Sequence, residues 1–467
     1  VMGARIWAVA VALLAIVALV AAACSDDDGE ASTETATTTE ASTSEAPTST
    51  EEDPSDEPAS STTEAMELTA SHRGVTADTI HVGVSLLDID TLYEAGLNPS
   101  TWGDQELVWQ TLLDDINARG GINGRMVEAS IEFYNPANTA SAEELCVKFG
   151  EDEELFAVLG GFLGPAEAAT PCLTTNGDLM VVGGSLTDEF LASAQAAWYS
   201  EGRRDARTIP AFIDLLDREG MLDGAKVAVV SGDENVADTQ SLLLPTLDEY
   251  GVEVVLEAVN DVAGTDIPAE DALWSVVAER IRASGADTVL ISGDTTAGIR
   301  GISDNGLDVA IWVTDQGQLA NLGDSVDRDA AEGAITIQGL TDTEAWAEPN
   351  MVECVETFLA VNPDADVKGP DEVGLEEPHW NTALGQACRI IALFELLAEA
   401  AGPVLTPDTI REGAATLTDF SLPTVPIASL GPDKPDANDG ARLTIWDSTA
   451  GESGALVALT EFSDLTE

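Results

Sequence analysis

Residues 115–125 read Asp115-Ile116-Asn117-Ala118-Arg119-Gly120-Gly121-Ile122-Asn123-Gly124-Arg125, and this run decides how the chain around it is divided. The stretch 107–118 leading into it places Leu107, Val108, Leu112, Leu113 and Ile116 on one helical face. Gly120 and Gly121 then supply the residues that best tolerate the left-handed conformation that ends a helix. Upstream, residues 79–87 form an apolar, β-branched run of the kind a buried strand shows, and downstream residues 126–133 form another. Strand, helix, glycine stop and strand make one βαβ unit.

Outward from this unit the pattern repeats. Helix 141–149, strand 156–159, a short helix at 165–174 and strand 179–182 follow. A second series starts at Ala225: strand 226–230, helix 238–250, strand 252–256, helix 272–283, strand 288–291, helix 296–305 and strand 309–313. Such alternation predicts an α/β fold of two Rossmann-like lobes, each a mostly parallel sheet covered on both faces, joined near residues 198–205. A long helix at 383–400 and a strand-rich stretch at 442–460 are too short for a third lobe and complete the two. The expected division is 74–200 plus about 340–425 for the first lobe, and 201–339 plus about 426–467 for the second.

The segment before residue 74 differs in kind. Residues 6–23 are an apolar run behind Arg5 and end in Ala21-Ala22-Ala23-Cys24, the architecture of an export signal. The last four resemble the bacterial lipobox, with Ala21 where that pattern prefers Leu, so residues 1–23 are expected to be a lipoprotein signal peptide and Cys24 the lipidated first residue. Two acyl chains suffice for stable attachment. Residues 25–71 carry 14 acidic residues and no Lys, Arg or aromatic residue, so nothing there forms a core. Residues 24–73 are expected to be a disordered acidic tether, its flexible part spanning roughly 35–40 Å root mean square.

With 19 basic against 85 acidic residues, a formal charge of −66, the chain cannot neutralise phosphates, which excludes nucleic acid as a partner. The tether holds little of this charge, since residues 76–467 keep 71 acidic against 17 basic residues. Enzyme signatures are absent from the sequence: no G-x-S-x-G elbow, no G-x-x-x-x-G-K-[ST] loop and no H-E-x-x-H. Three histidines, His72, His81 and His379, and no C-x-x-C pair leave neither a nucleophile with its base nor a metal site. No catalytic residue, cofactor or metal is expected.

In α/β proteins the ligand sits at the carboxyl ends of the strands. That rule nominates Gly161-Phe162-Leu163-Gly164 and Gly184-Ser185-Leu186-Thr187 in the first lobe, and Asp233-Glu234-Asn235 and Thr314-Asp315-Gln316 in the second. Backbone N–H groups of the first two loops could meet a carboxylate or carbonyl. Turn and helix-cap chemistry explains each residue equally well.

Four stretches carry a family resemblance: Gly74-Val75-Thr76, the 115–125 run, Ala157-Val158-Leu159-Gly160-Gly161, and Ala286-Asp287-Thr288-Val289-Leu290-Ile291. They are similar to type I periplasmic solute-binding proteins, most of all the leucine/isoleucine/valine-binding group, over residues 74–462. The resemblance implies two lobes joined by three crossovers, a ligand cleft that closes as a hinge, a small polar solute such as an amino acid or a related amide or carboxylate, and an ABC importer permease as partner. It further implies a monomer on the outer face of the cell membrane, which the expected lipid anchor suggests independently. Amino-acid binders of this family hold the ligand carboxylate with hydroxyls and amides of the first-lobe loops. They hold its ammonium with an acidic residue of the second. Ser185 and Thr187 lie where the hydroxyls are expected, while Gly164 or Pro165 replaces the usual Ser of the preceding loop. Asp315 is the acidic candidate, with Gln316 a competing alignment by one residue. Trp198 and Tyr199 lie where an aromatic could stack on the ligand. The rival functions are a ligand-sensing receptor module of the same fold and a hydrolase, which the missing nucleophile and base disfavour.

With Cys24 assigned to lipid, four cysteines remain. Cys146 and Cys172 fall on successive helices of the first lobe and Cys354 and Cys388 in two C-terminal helices, so these two pairs are the expected disulfides of an exported protein.

Overall fold

The structure, a computed structural model, describes residues 68–136, 138–175, 179–262, 266–322, 326–450 and 454–466. The expected signal peptide, Cys24 and the tether up to residue 67 lie outside the described residues.

Strand β1 (Thr79–Leu87) pairs in parallel with β2 (Met126–Tyr134) on one side and β3 (Ala157–Leu159) on the other, and β4 (Met180–Val182) and β5 (Trp198–Tyr199) extend the sheet to the order β2-β1-β3-β4-β5. Every residue of β3 and β4 is buried, as a sheet covered on both faces requires. Helix α1 (Gln105–Ala118) starts where the Asp104 side chain accepts from Leu107 N–H, and it buries Val108, Trp109, Leu112, Leu113 and Ile116.

The 115–125 run ends α1 and starts β2. Gly121 has φ +73°, and a Cβ there would stand 1.9 Å from the Arg125 carbonyl oxygen. Ile122 and Arg125 exchange backbone hydrogen bonds, closing the turn. Arg125, 1% exposed, donates from Nε to Thr76 O, from Nη1 to Pro403 O and from Nη2 to Thr69 O. Burial lowers its pKa, and these three carbonyls hold the guanidinium while it ties three distant segments together.

The second sheet has the order β14-β13-β10-β9-β8-β6-β7. Its parallel part comprises β6 (Lys226–Gly232), β7 (Glu253–Asn260), β8 (Thr288–Ser292), β9 (Ala310–Val313) and β10 (Ile335–Gln338). β13 (Gly440–Asp447) joins β10 antiparallel and carries β14 (Ala455–Ala458) and β15 (Ser463–Asp464) on its far side. Between β10 and β13 the chain returns to the first sheet. Helices α2 (Pro349–Val361), α3 (Trp380–Ala401) and α4 (Pro407–Ala414) and the hairpin of β11 (Phe420–Leu422) and β12 (Val425–Ala428) place Phe358, Phe394, Ile410 and Ala428 in one core with Val82 and Leu159. The chain therefore passes between the sheets three times, at 200–204, 339–341 and 429–439.

The helix expected at 141–149 runs over Thr139–Val147 and passes into a π turn at Lys148–Asp152, and two other helices differ from expectation because of proline. Over 238–250 the helix is interrupted by a wide π turn at Thr239–Leu243, followed by Leu244–Glu249. Pro245 has no N–H to return to the previous turn. Over 165–174 a 3-10 turn, Gly164–Ala169, gives way to a separate short helix, Pro171–Thr175, because Pro171 lacks the same donor.

Disulfides join Cys146 to Cys172 and Cys354 to Cys388, with Cα separations of 6.3 and 6.1 Å. In the chain-entropy account each contributes about 3–4 kcal/mol. Among the described residues no helix is long and apolar enough to cross a membrane.

Candidate functional site: a cleft through the crossovers

The carboxyl ends of all five strands of the first sheet converge on a cavity of about 170 Å³. Ser85 to Leu87 of β1, Tyr134 at the end of β2, Gly160, Gly161 and Leu163 after β3, Gly184 and Ser185 after β4, and Glu201 after β5 line it. Trp109 of α1 and Gln386, Arg389 and Ile390 of α3 close it. The two glycine loops touch backbone to backbone: a Cβ on Gly184 would come within 3.0 Å of Gly161 Cα.

This first cavity adjoins a second of about 420 Å³, with which it shares Glu201, Gln386 and Arg389. Gly202, Gly339 and Asn438, one from each crossover, line the second, together with Asp342, Trp346 and Asn381. A third cavity of about 400 Å³ shares Gly339 and Asn438 with the second and lies against the strand ends of the other sheet. Asn235 follows β6, Ser292 ends β8, Thr314, Asp315 and Gln316 follow β9, and Gln338 ends β10; Arg203, Asp205, Thr208 and Asp238 complete this wall. The three cavities form one continuous cleft between the sheets.

Of the residues expected from sequence, Leu163, Ser185, Asn235, Asp315 and Gln316 line this cleft. The others have local work. Phe162 is 0% exposed, with its ring edge-on to Tyr134 at 5.0 Å. Its N–H donates to Thr170 Oγ1, and the Leu163 N–H donates to the Tyr134 hydroxyl. These two amides are thus satisfied inside the lobe rather than held ready for a ligand. Gly164 opens the 3-10 turn on the surface. Thr187 caps the following helix by accepting from Phe190 N–H, and Asp233 begins the turn after β6. Tyr199 is buried and faces a separate cavity with Trp198 and Arg411, where burial pushes its phenol up to about 12. Trp109 and Tyr134 stand in the cleft where an aromatic was expected of Tyr199. Asp315 does both: Oδ1 caps its helix by accepting from Gln318 N–H at 2.9 Å, and the residue lines the cleft.

Apart from Asp315, sequence reading missed the charged residues of the cleft. Glu201 Oε1 accepts from Arg389 Nε at 2.7 Å, while its Oε2 is buried without a hydrogen-bond partner among the described residues. The strand-end rule extended to β5 would have found Glu201; nothing in the sequence marks Arg389, in the middle of a long helix. Burial, then the charges of Asp238, Asp315 and Asp188, raise the pKa of Asp205. Burial, with the charge of Arg207, lowers Arg203 to about 10 against the opposing pull of Asp436 and Asp439. Ser185 hydrogen-bonds Glu167, partly offsetting the burial that raises that carboxyl.

Behind the cleft the first and third crossovers are pinned by charge. Asp436, 0% exposed, accepts from Arg204 Nε at 3.0 Å, from Arg204 N–H at 3.1 Å and from Arg207 Nη1 at 2.7 Å. Asp439 takes Arg207, Lys434 and the Ser429 hydroxyl. Among the described residues no group of three or more His, Cys, Asp or Glu could hold a metal ion.

No curated protein matches the chain. Solved structures do: the solute-binding protein of an ABC transporter from Rhodopseudomonas palustris HaA2 in complex with p-hydroxybenzoic acid, at 16% identity and TM-score 0.54, covering 83% of this chain and 98% of that one. The branched-chain amino acid transporter substrate-binding protein LivJ from Streptococcus pneumoniae with isoleucine is similar at 18% identity and TM-score 0.51, covering 82% and 100%. An ABC transporter substrate-binding protein from Desulfitobacterium hafniense with Leu is similar at 13% identity and TM-score 0.55, covering 81% and 100%. At these identities the likeness is one of fold. The sequence itself matches the family described as periplasmic binding protein over residues 100–452. With two sheets, three crossovers and a cleft at their strand ends, the chain belongs to the periplasmic binding protein family.

Proposed function

We propose that this protein is an extracytoplasmic solute-binding lipoprotein that captures a small polar solute, an amino acid or a related amide or carboxylate, and hands it to an ABC importer. The observation that carries this reading is the convergence of strand ends from both sheets on one cleft that runs through all three crossovers. Flexing of such crossovers opens and closes a cleft without breaking either core. Residues 74–200 with about 340–425 act as one lobe and 201–339 with about 426–467 as the other. Ser185, Asn235, Asp315 and Gln316 contact the solute, with no covalent step. The protein works as a monomer, held by lipid on Cys24 and spaced from the membrane by residues 25–73. Ligands in solved structures of the fold, p-hydroxybenzoic acid, isoleucine and leucine, support a small organic solute.

A thermal-shift panel of amino acids, amides, ureas and small carboxylates tests the function. A ligand at 100 times its Kd adds ~2.7 kcal/mol to the native state and raises Tm. A folded protein that responds to none of them, or that turns over ester or amide substrates, ends this reading. The anchor is tested separately: Cys24→Ala is expected to abolish acyl labelling and release the protein from membranes, and unchanged labelling refutes it.

A further inference from the structure

We infer that the solute is an organic cation rich in N–H donors, an amine or guanidine compound, and that Glu201 is the residue that receives its charge. This rests on the solute-binding function proposed above and narrows it to a substrate class.

The first observation is which polar atoms the cleft leaves unpaired. Glu201 Oε2, Gln338 Oε1 and Asn381 Oδ1 are buried without a hydrogen-bond partner, and all three residues line the cleft. Each is an acceptor. The remaining unpaired buried side-chain atoms among the described residues, those of Trp274, Thr295, Thr336, His379 and Arg442, belong to residues that do not line it. A buried acceptor left unpaired is destabilising, the more so when it is charged. Glu201 is 8% exposed, and only one of its oxygens is used by Arg389. A ligand carrying N–H groups relieves this deficit; one carrying a carboxylate alone adds to it.

The second observation is charge. Five carboxylates line the cleft, those of Glu201, Asp205, Asp238, Asp315 and Asp342, against the guanidinium groups of Arg203 and Arg389. Both arginines are already engaged: Arg389 with Glu201, and Arg203 with Thr208 Oγ1 and the Gly440 carbonyl at 3.3 and 3.5 Å. With five carboxylates against two guanidinium groups, an anion entering the cleft meets an excess of negative charge, whereas a cation is drawn in.

Calorimetric titration of the full chain with arginine, 1,4-diaminobutane, leucine and 4-hydroxybenzoate tests the inference. At least one of the two cations is expected to bind tenfold or more tightly than leucine and 4-hydroxybenzoate, and Glu201→Gln to weaken that cation at least tenfold. Asp238→Asn, which leaves the Glu201–Arg389 pair intact, is expected to weaken it about threefold, and it serves as the variant should Glu201→Gln not fold. Equal cation affinity in wild type and a folded Glu201→Gln overturns the assignment. Binding of leucine or 4-hydroxybenzoate with no response to either cation overturns the proposal and leaves the solute-binding function standing. Silence toward these four and the wider panel counts against both.

Discussion

Replacing Asp436 by Ala is expected to destabilise the protein by about 3 kcal/mol, the lower end of what breaking a buried charge pair costs. The carboxylate is fully buried and takes three hydrogen bonds, from the side chains of Arg204 and Arg207 and from the Arg204 backbone. Its removal leaves a backbone N–H and two largely buried guanidinium groups short of a partner. The loss falls short of the upper end because each arginine keeps a second carboxylate, Asp188 for Arg204 and Asp439 for Arg207. Denaturant unfolding should show the midpoint falling with an unchanged slope. A change below about 1 kcal/mol would mean the crossovers are held by backbone pairing alone. The Ser200 carbonyl accepting from Ala437 N–H and the Pro435 carbonyl accepting from Ser200 N–H supply such pairing.

Gly121→Ala is expected to cost more than about 2 kcal/mol, because two penalties coincide. Its φ of +73° disfavours any L side chain, and the new Cβ would lie 1.9 Å from the Arg125 carbonyl oxygen, a backbone atom that cannot rotate away. Gly251 separates the two penalties: it has φ +69° but open space around the missing Cβ, so Gly251→Ala should cost about 1–2 kcal/mol, the conformational part alone. Equal losses in the two variants would show that the turn at 121–125 yields freely.

The fold was legible because its determinants are local. Apolar β-branched runs became β1, β2, β6 and β8, and the glycine stop after α1 fell at Gly120-Gly121. The disulfide pairs followed from which helices lie next to one another. Where the reading slipped, Pro171 and Pro245 broke helices whose apolar spacing alone suggested continuity. The cleft was legible as loops and much less so as side chains. Ser185 and Asp315 sit on loops directly after strands, so the strand-end rule reaches them. Arg389 enters the cleft from the tenth residue of a 22-residue helix because α3 packs across the first sheet, a long-range outcome that periodicity does not encode. Phe162 and Tyr199 erred in the opposite direction: both follow or end a strand, but their rings turn into apolar surroundings, where burial of the ring outweighs exposure to a wet cleft.

The strand order also constrains when the chain can fold. Residues up to 199 supply all five strands of the first sheet, yet the face carrying Val82 and Leu159 is covered by Phe358, Phe394 and Ile410, which come some 150 residues or more later. The second sheet waits longer still, because β13, which carries β14 and β15 at one edge, begins only at Gly440. A polypeptide emerging N-terminus first therefore exposes a half-covered first sheet until Ile410 has followed, and an incomplete second sheet until β13 has. Contacts so distant in sequence make folding slow and leave the nascent chain open to aggregation. Both sheets thus depend on the C-terminal part of the chain, the first from Phe358 to Ile410 and the second from Gly440 onward.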